Sequence, residues 1–342
     1  MSPILLIAVD HGARAALEPL AARAPFQMVD FDPVTGAQES YWTDLFRSAG
    51  ARLAVAGTSD SKPGRAIESA ARRAAARRSL PMIAIEDYPG NYSHVPDAVT
   101  RLLVVESESV RAFHRERLAA ACPEIVVCPP ARYDVYRERL SLLRAGTLEK
   151  WASAGNSPAV LWAGQPETDD AVVTLEQIIP QLKSHRVEFL FKAHPRDAGH
   201  GAGVYARLFA QARLDFRDVT SLSVPDALAL APMLVLTQFS SVAIEAGFFG
   251  IPSLHVLLAN AGGARLRQKK GYDIPPFCLA GAAACVSDVK TLAATFSNAL
   301  LEGPFRERLV TCFDEYFNAR EPTLPRLIDS VSALAAGTQN PP

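Results

Sequence analysis

Two polar clusters carry the clearest chemical signal in this chain. Lys192-Ala193-His194-Pro195-Arg196-Asp197 ends the apolar run VEFLFKAH, and Thr237, Gln238, Phe239, Ser240 and Ser241 close a second run, MLVLTQFSS. Each falls where a predicted parallel strand stops, the edge at which open α/β sheets gather ligands. Ser240 and Ser241 open the next helix, VAIEAGFFG, so hydroxyls and unpaired backbone N–H groups stand together as donors for an anion. Lys192 and His194 are two apart on extended backbone and share a side, while Pro195 fixes the exit from the strand. The competing reading of His194 is a capped, hydrogen-bonded core histidine. Glu245 lies one helical turn beyond Ser241; it is suited to sugar hydroxyls, or it is simply a first-turn acid favoured by the helix dipole. Gly164-Gln165 follows the run AVLWAG, where a glycine admits close backbone approach to a phosphate or merely makes a tight turn. The spacing describes a phosphate-seeking site.

A second set of polar residues ends strands in the first half. Asp10 and His11 follow ILLIAV, and a carboxylate or imidazole there can accept a proton. Asp10 can equally cap a helix beginning at Gly12. Glu86, Asp87, Asn91 and Tyr92 surround the Pro89-Gly90 turn, as an acidic-aromatic grip on a sugar or as an ordinary β-turn with solvated acids.

These residues need a scaffold, and the hydrophobic pattern supplies one. The runs at 4–9, 26–31, 51–57, 81–87, 100–106 and 124–128 read as strands separated by Ala- and Arg-rich stretches of helical period. Continuous apolar strands alternating with helices indicate a parallel sheet covered on both faces. A helix is expected over 134–152, a linker at Ala154-Gly155-Asn156-Ser157-Pro158, and a second alternation from 159. Residues 259–281, rich in Gly, Lys, Arg and Pro, read as a mobile loop, and 318–342 as irregular tail. The expected division is an N-terminal domain over 1–153, a C-terminal domain over 158–300, and a terminal helix and tail over 301–342 that can cross back to the first domain.

Composition sets the bounds. The 342 residues fit two α/β domains of roughly 150 residues each. A net charge of −1 excludes the global basic field of a nucleic-acid binder. The apolar N-terminus is too short to span a membrane and has no basic leader. The five cysteines lack metal-knuckle spacing, as expected of reduced cytoplasmic thiols. No metal site is visible.

The pattern KAHPRD followed by TQFSSVAIEAGFFGIPSLHV resembles the donor half of GT-B glycosyltransferases. It is most similar to bacterial sialyltransferase and polysialyltransferase-type enzymes, in which an HP motif and a paired Ser/Thr motif hold a CMP-sugar. It also resembles UDP-N-acetylglucosamine 2-epimerases and CDP-glycerol glycerophosphotransferases. More loosely, IAIEDYPGNY and CPPARYD sit where related proteins carry an acceptor-side acidic turn and an exit segment. The resemblance implies two Rossmann-like parallel-sheet domains facing across a cleft. Gly164, Gln165, Lys192, His194, Pro195, Thr237, Ser240, Ser241 and Glu245 would bind the donor, with His194, Ser240 and Ser241 on phosphate and Glu245 on ribose. Glu86, Asp87, Asn91 and Tyr92 would meet the acceptor, and Asp10, ahead of His11, would be the base. The implied reaction is an inverting, metal-independent transfer of a sugar, such as a CMP-activated nonulosonic acid in surface polysaccharide biosynthesis. A nucleotide-sugar co-substrate is used and no cofactor. The acceptor would be a glycan, lipid-linked molecule or protein; no nucleic acid or transmembrane segment is expected, and peripheral membrane contact stays open. A nucleotide-sugar 2-epimerase or hydrolase, or a non-catalytic nucleotide-sugar binder, is the alternative.

Overall fold

The computed structural model describes residues 3–92, 99–153 and 158–337. The expected linker residues 154–157 lie outside them. By packing, one compact unit takes the chain up to Val135 together with the residues from Glu321 on, and the other runs Tyr136–Arg320. The division falls before the helix Leu140–Ser153, and the C-terminal segment rejoins the first unit.

In the first unit, β1 (Ile4–Ile7), β2 (Phe26–Met28), β3 (Leu53–Gly57), β4 (Met82–Ile85), β5 (Thr100–Val105) and β6 (Glu124–Val127) form one parallel sheet in the order β2-β1-β3-β4-β5-β6. Its central strands are buried along their whole length because helices cover both faces. The helix Lys62–Arg77 owes its fit to small residues: Ala70, Ala71, Ala74 and Ala75 let it lie close against Leu5, Ile7, Ala54 and Ala56. On the opposite face Ala13, Ala16, Leu17 and Leu20 of the helix His11–Ala21 pack with Ile4, Leu6 and Val55.

The second unit repeats the plan. Here β7 (Ala159–Ala163), β8 (Glu188–Lys192), β9 (Arg217–Asp218), β10 (Leu234–Thr237), β11 (Ser253–Val256) and β12 (Ala284–Val286) run parallel in the order β12-β11-β10-β7-β8-β9. Two Rossmann-like parallel-sheet units, each with six strands, make up the fold.

Three segments differ from the sequence reading. The Gly- and Lys-rich stretch carries the helix Gly262–Lys270, because Gly262 and Gly263 serve close packing, while Gly271 ends the helix in the left-handed conformation. A Cβ on Gly263 would lie 2.4 Å from the Leu257 carbonyl oxygen, and one on Gly262 would lie 2.9 Å from Gln238. Arg265 and Lys269 then pair with Asp170 (2.9 Å) and Glu167 (2.7 Å) at the start of the helix Thr168–Ser184. The edge strand β12 is only three residues long and sits in Ala-rich sequence without a strand signature. Within the tail, Leu324–Gly337 is a helix whose Leu327, Val331 and Ala335 enter the first unit's core beside Leu17 and Leu20. Among the described residues no helix is long and apolar enough to cross a membrane.

Each sheet has one point where successive strands depart to opposite sides. It lies between β1 and β3 in the first unit and between β7 and β10 in the second. The loops leaving those strands flank a crevice at their carboxyl ends, the place where this architecture binds ligands.

Candidate functional site

In the second unit the sheet order sets β10, β7 and β8 side by side, so the polar clusters leave neighbouring strand ends with Gly164-Gln165 between them. The Gly164 N–H donates to Lys192 O (2.9 Å), and a Cβ on Gly164 would stand 3.2 Å from the His194 nitrogen. The glycine therefore permits the β7 turn to lie against the His-Pro turn. Gln165 is buried at that turn.

His194 is half-buried, and its Nδ1 accepts the Arg196 backbone N–H at 3.0 Å. In that bond the neutral ring carries its proton on Nε2. Burial pushes the imidazole pKa down to about 4, with nearby Arg196 adding to the effect against the opposing pull of Glu167 and Asp197. At neutral pH His194 is thus an uncharged donor. Pro195 and Arg196 are exposed, and the Asp197 N–H closes the turn onto His194 O (2.9 Å).

Lys192 behaves differently. Its Nζ donates to the carbonyls of Leu222 and Thr220, the latter at 3.2 Å, so the ammonium braces the turn after β9. Burial holds its pKa below the usual lysine range, against the opposing charges of Asp218 and Glu245. Thr237 is also committed internally: its hydroxyl donates to Ala163 O (2.7 Å) and accepts the Ser240 N–H (3.2 Å). It fixes the serine turn to β7. Ser240 Oγ accepts the Val242 N–H at 3.3 Å, and Ser241 is half-buried at the start of the helix Val242–Phe248 with no side-chain capping bond. One turn on, Glu245 is half-buried and its Oε2 accepts from the Tyr136 hydroxyl at 2.5 Å.

The structure thus brings Gly164, Gln165, His194, Ser240, Ser241 and Glu245 to neighbouring strand ends, and gives Lys192 and Thr237 supporting bonds. Sequence reading missed Tyr136, Glu167 and Lys269. Glu167 directly follows the Gly-Gln-Pro turn, which is a usable signal, but nothing local marks Tyr136.

In the first unit, Asp10 does not cap its own helix. Its carboxylate accepts the N–H groups of Asp60 and Ser61, both at 2.8 Å, and the Ser61 hydroxyl at 2.5 Å. Those amides lead into the helix Lys62–Arg77, so an internal carboxylate occupies the anion-seeking end of that helix across the β1/β3 crevice. His11 is exposed at the first position of its helix.

The acidic-aromatic turn is a buried network. Asp87 accepts from Thr58 Oγ1 (2.9 Å) and Asn91 Nδ2 (2.6 Å), and a Cβ on Gly12 would meet Asp87 Oδ2 at 2.4 Å. Glu86 accepts the Tyr92 N–H (2.9 Å) and bonds the Nε2 of buried His114 (3.0 Å), whose ring meets Tyr92 edge-on. Arg72 lies over the Tyr92 ring at 5.1 Å. Glu86, Asp87, Asn91 and Tyr92 are all buried, which a turn of solvated acids would not be. Glu68, from the helix Lys62–Arg77, joins this layer through Ser59. Burial raises its pKa to about 8, with Asp87 and Asp10 adding to the shift against Ser59 and Arg72. No group of three or more His, Cys, Asp or Glu side chains placed to hold a metal occurs among the described residues.

No family model and no curated protein sequence matches this chain. Solved structures do resemble it along its whole length. The S. aureus MnaA–UDP co-structure has a TM-score of 0.68 at 10% identity, covering 100% of this chain and 99% of that one. The UDP-N-acetylglucosamine 2-epimerase from Rickettsia bellii gives 0.65 at 13%, covering 98% and 97%. MurG from Acinetobacter baumannii gives 0.58 at 12%, covering 96% and 99%. At such identities the likeness establishes the fold, which is GT-B.

Proposed function

We propose that this chain is a GT-B enzyme acting on a nucleotide-sugar, and that it transfers the sugar to an acceptor hydroxyl with inversion. The observation that carries the reading is the convergence at the ends of β8, β7 and β10. There a neutral His194 Nε2–H donor, the Ser240-Ser241 pair and the Glu245 carboxylate match, in order, a diphosphate or phosphate and a ribose. A departing nucleotide develops negative charge, and fixed donors aimed at it lower the barrier. The first unit serves the acceptor in this reading, since Asp10 already supplies an anion at its crevice. With Asp10 so engaged, Asp87 and exposed His11 join it as candidates for the base. The reaction runs without a metal or other cofactor, in the cytoplasm, on a glycan, lipid-linked or protein acceptor.

The second reading is a nucleotide-sugar 2-epimerase. It is favoured by the full-length likeness to solved 2-epimerases and by the buried carboxylates Glu86 and Asp87. The Ser-Ser and His-Pro motifs point to a CMP-activated acid sugar, whereas the likeness to the MnaA–UDP co-structure points to a uridine nucleotide. A thermal-shift panel of CMP, CDP, UDP, UMP and GDP separates the bases, because a ligand at a hundredfold excess over Kd stabilises by about 2.7 kcal/mol. Incubation of the selected sugar nucleotide without acceptor then distinguishes an epimerised donor from an unchanged one. Stabilisation by none of the five would refute both readings.

A further inference from the structure

Glu245 is held from outside its own helix. The second unit opens with Tyr136 and Arg137, the last two residues of the short helix Asp134–Arg137, which lie on the helix Val242–Phe248 and on Phe249 just after it. The Tyr136 ring stacks on Phe248 (centroids 5.7 Å, planes 22° apart) and leans on Phe249 (5.9 Å). The Arg137 guanidinium lies over the same Phe248 ring at 5.4 Å and donates to Phe317 O at 2.8 Å. With the ring clamped, its hydroxyl has one direction, and that direction ends on Glu245 Oε2 at 2.5 Å.

We infer that Tyr136 is a positioning residue for sugar-ring recognition: its hydroxyl aims the Glu245 carboxylate at the ribose diol of the bound nucleotide. This rests on the donor-site reading above. A glutamate on a helix surface samples many rotamers, and ordering it on binding costs entropy. A phenol removes that cost without cancelling the charge, as an arginine or lysine partner would, so the carboxylate stays a strong acceptor for hydroxyls. The same charge reaches Lys192, which is committed to the Thr220 and Leu222 carbonyls.

The test is calorimetric titration of the full chain with UDP and CMP and with their 2′-deoxy and 3′-deoxy forms. Tyr136→Phe keeps the stacked ring and loses only the hydroxyl; Glu245→Gln cuts the same bond from its other end. We expect the wild type to favour the ribonucleotide by about tenfold or more. Tyr136→Phe should lose most of that preference with little change in deoxynucleotide affinity, and the double variant should lose no more than Glu245→Gln alone. Tyr136→Phe that keeps the full preference, while Glu245→Gln abolishes it, would overturn the inference and leave the ribose reading standing. So would equal weakening of all ligands by Tyr136→Phe, the mark of a packing role. A wild type that binds neither nucleotide, or binds ribo and deoxy forms alike, would remove the ribose reading and the inference with it.

Discussion

The protonation state of His194 decides what it can offer a phosphate. Its Nδ1 is committed to the Arg196 amide, and burial keeps the ring neutral above about pH 4. Nucleotide affinity should therefore show no step near pH 6.5 attributable to this imidazole. His194→Ala, and the double change Ser240→Ala with Ser241→Ala, should each weaken nucleotide binding about tenfold or more in a folded protein. Titration calorimetry checks this, and unchanged affinity would remove these residues from the site. Asp10 calls for a different experiment. It accepts three hydrogen bonds from the segment entering Lys62–Arg77, so Asp10→Asn should cost about 1–2 kcal/mol of stability, as loss of a helix cap does, with turnover falling modestly. A kcat loss of about 10²–10⁴ at unchanged stability would make it the general base after all.

At the scale of elements, the C-terminal helix shows how a distant residue decides a local structure. Asp134 Oδ2 accepts the N–H groups of Thr323 (2.9 Å) and Leu324 (2.8 Å), the orphan donors at the start of Leu324–Gly337. Asp134→Ala should cost about 2 kcal/mol or more and speed hydrogen exchange in 324–337 ahead of the first unit's central strands; uniform exchange rates would contradict this capping role. No residue near 323 announces that cap, and Pro322 and Pro325 read as breakers although proline is welcome in a first helical turn. The Leu327, Val331, Ala335 stripe was legible at helical spacing and was outweighed by that punctuation. Gly262 and Gly263 misled in a similar way, since a glycine needed for close packing looks in sequence like one needed for freedom. The central strands were readable because two-sided burial writes an uninterrupted apolar run. At the donor site, residue types and strand ends were likewise legible. The hydrogen bonds that turn Lys192 and Thr237 inward, and Tyr136 onto Glu245, depend on partners 28 to 109 residues away and leave no local trace.

For the molecule as a whole, the two units carry buried ionisable groups of opposite pH sense. Glu68 in the first unit has its pKa raised from an ordinary 4.5 to about 8, chiefly by burial. Its favourable neutral form costs the folded state nothing below pH 4.5, where the unfolded chain is also protonated. As pH rises toward 8 the unfolded state gains by ionising and the folded state does not, so stability falls, by roughly 3 kcal/mol at pH 7. His255 in the second unit is fully buried, donates Nδ1–H to Gln238 O, and meets Phe277 edge-on. Its pKa is lowered from 6.5 to about 4 by burial, so its stabilising contribution is complete above pH 6.5 and is lost as pH falls through 4, again by roughly 3 kcal/mol. Hydrogen exchange followed from pH 4.5 to 8 should accordingly show the sheet around β3 and β4 losing protection as pH rises, and the sheet around β10 and β11 gaining it. Glu68→Gln keeps the size and the Ser59 contact but cannot ionise. It should stabilise the first unit at pH 7.5, leave it unchanged near pH 4.5, and leave the second unit's profile alone. A Glu68→Gln profile that runs parallel to the wild type across this range would mean that Glu68 ionises in the folded protein, and that the polar layer linking Asp10, Ser59 and Asp87 is open to water.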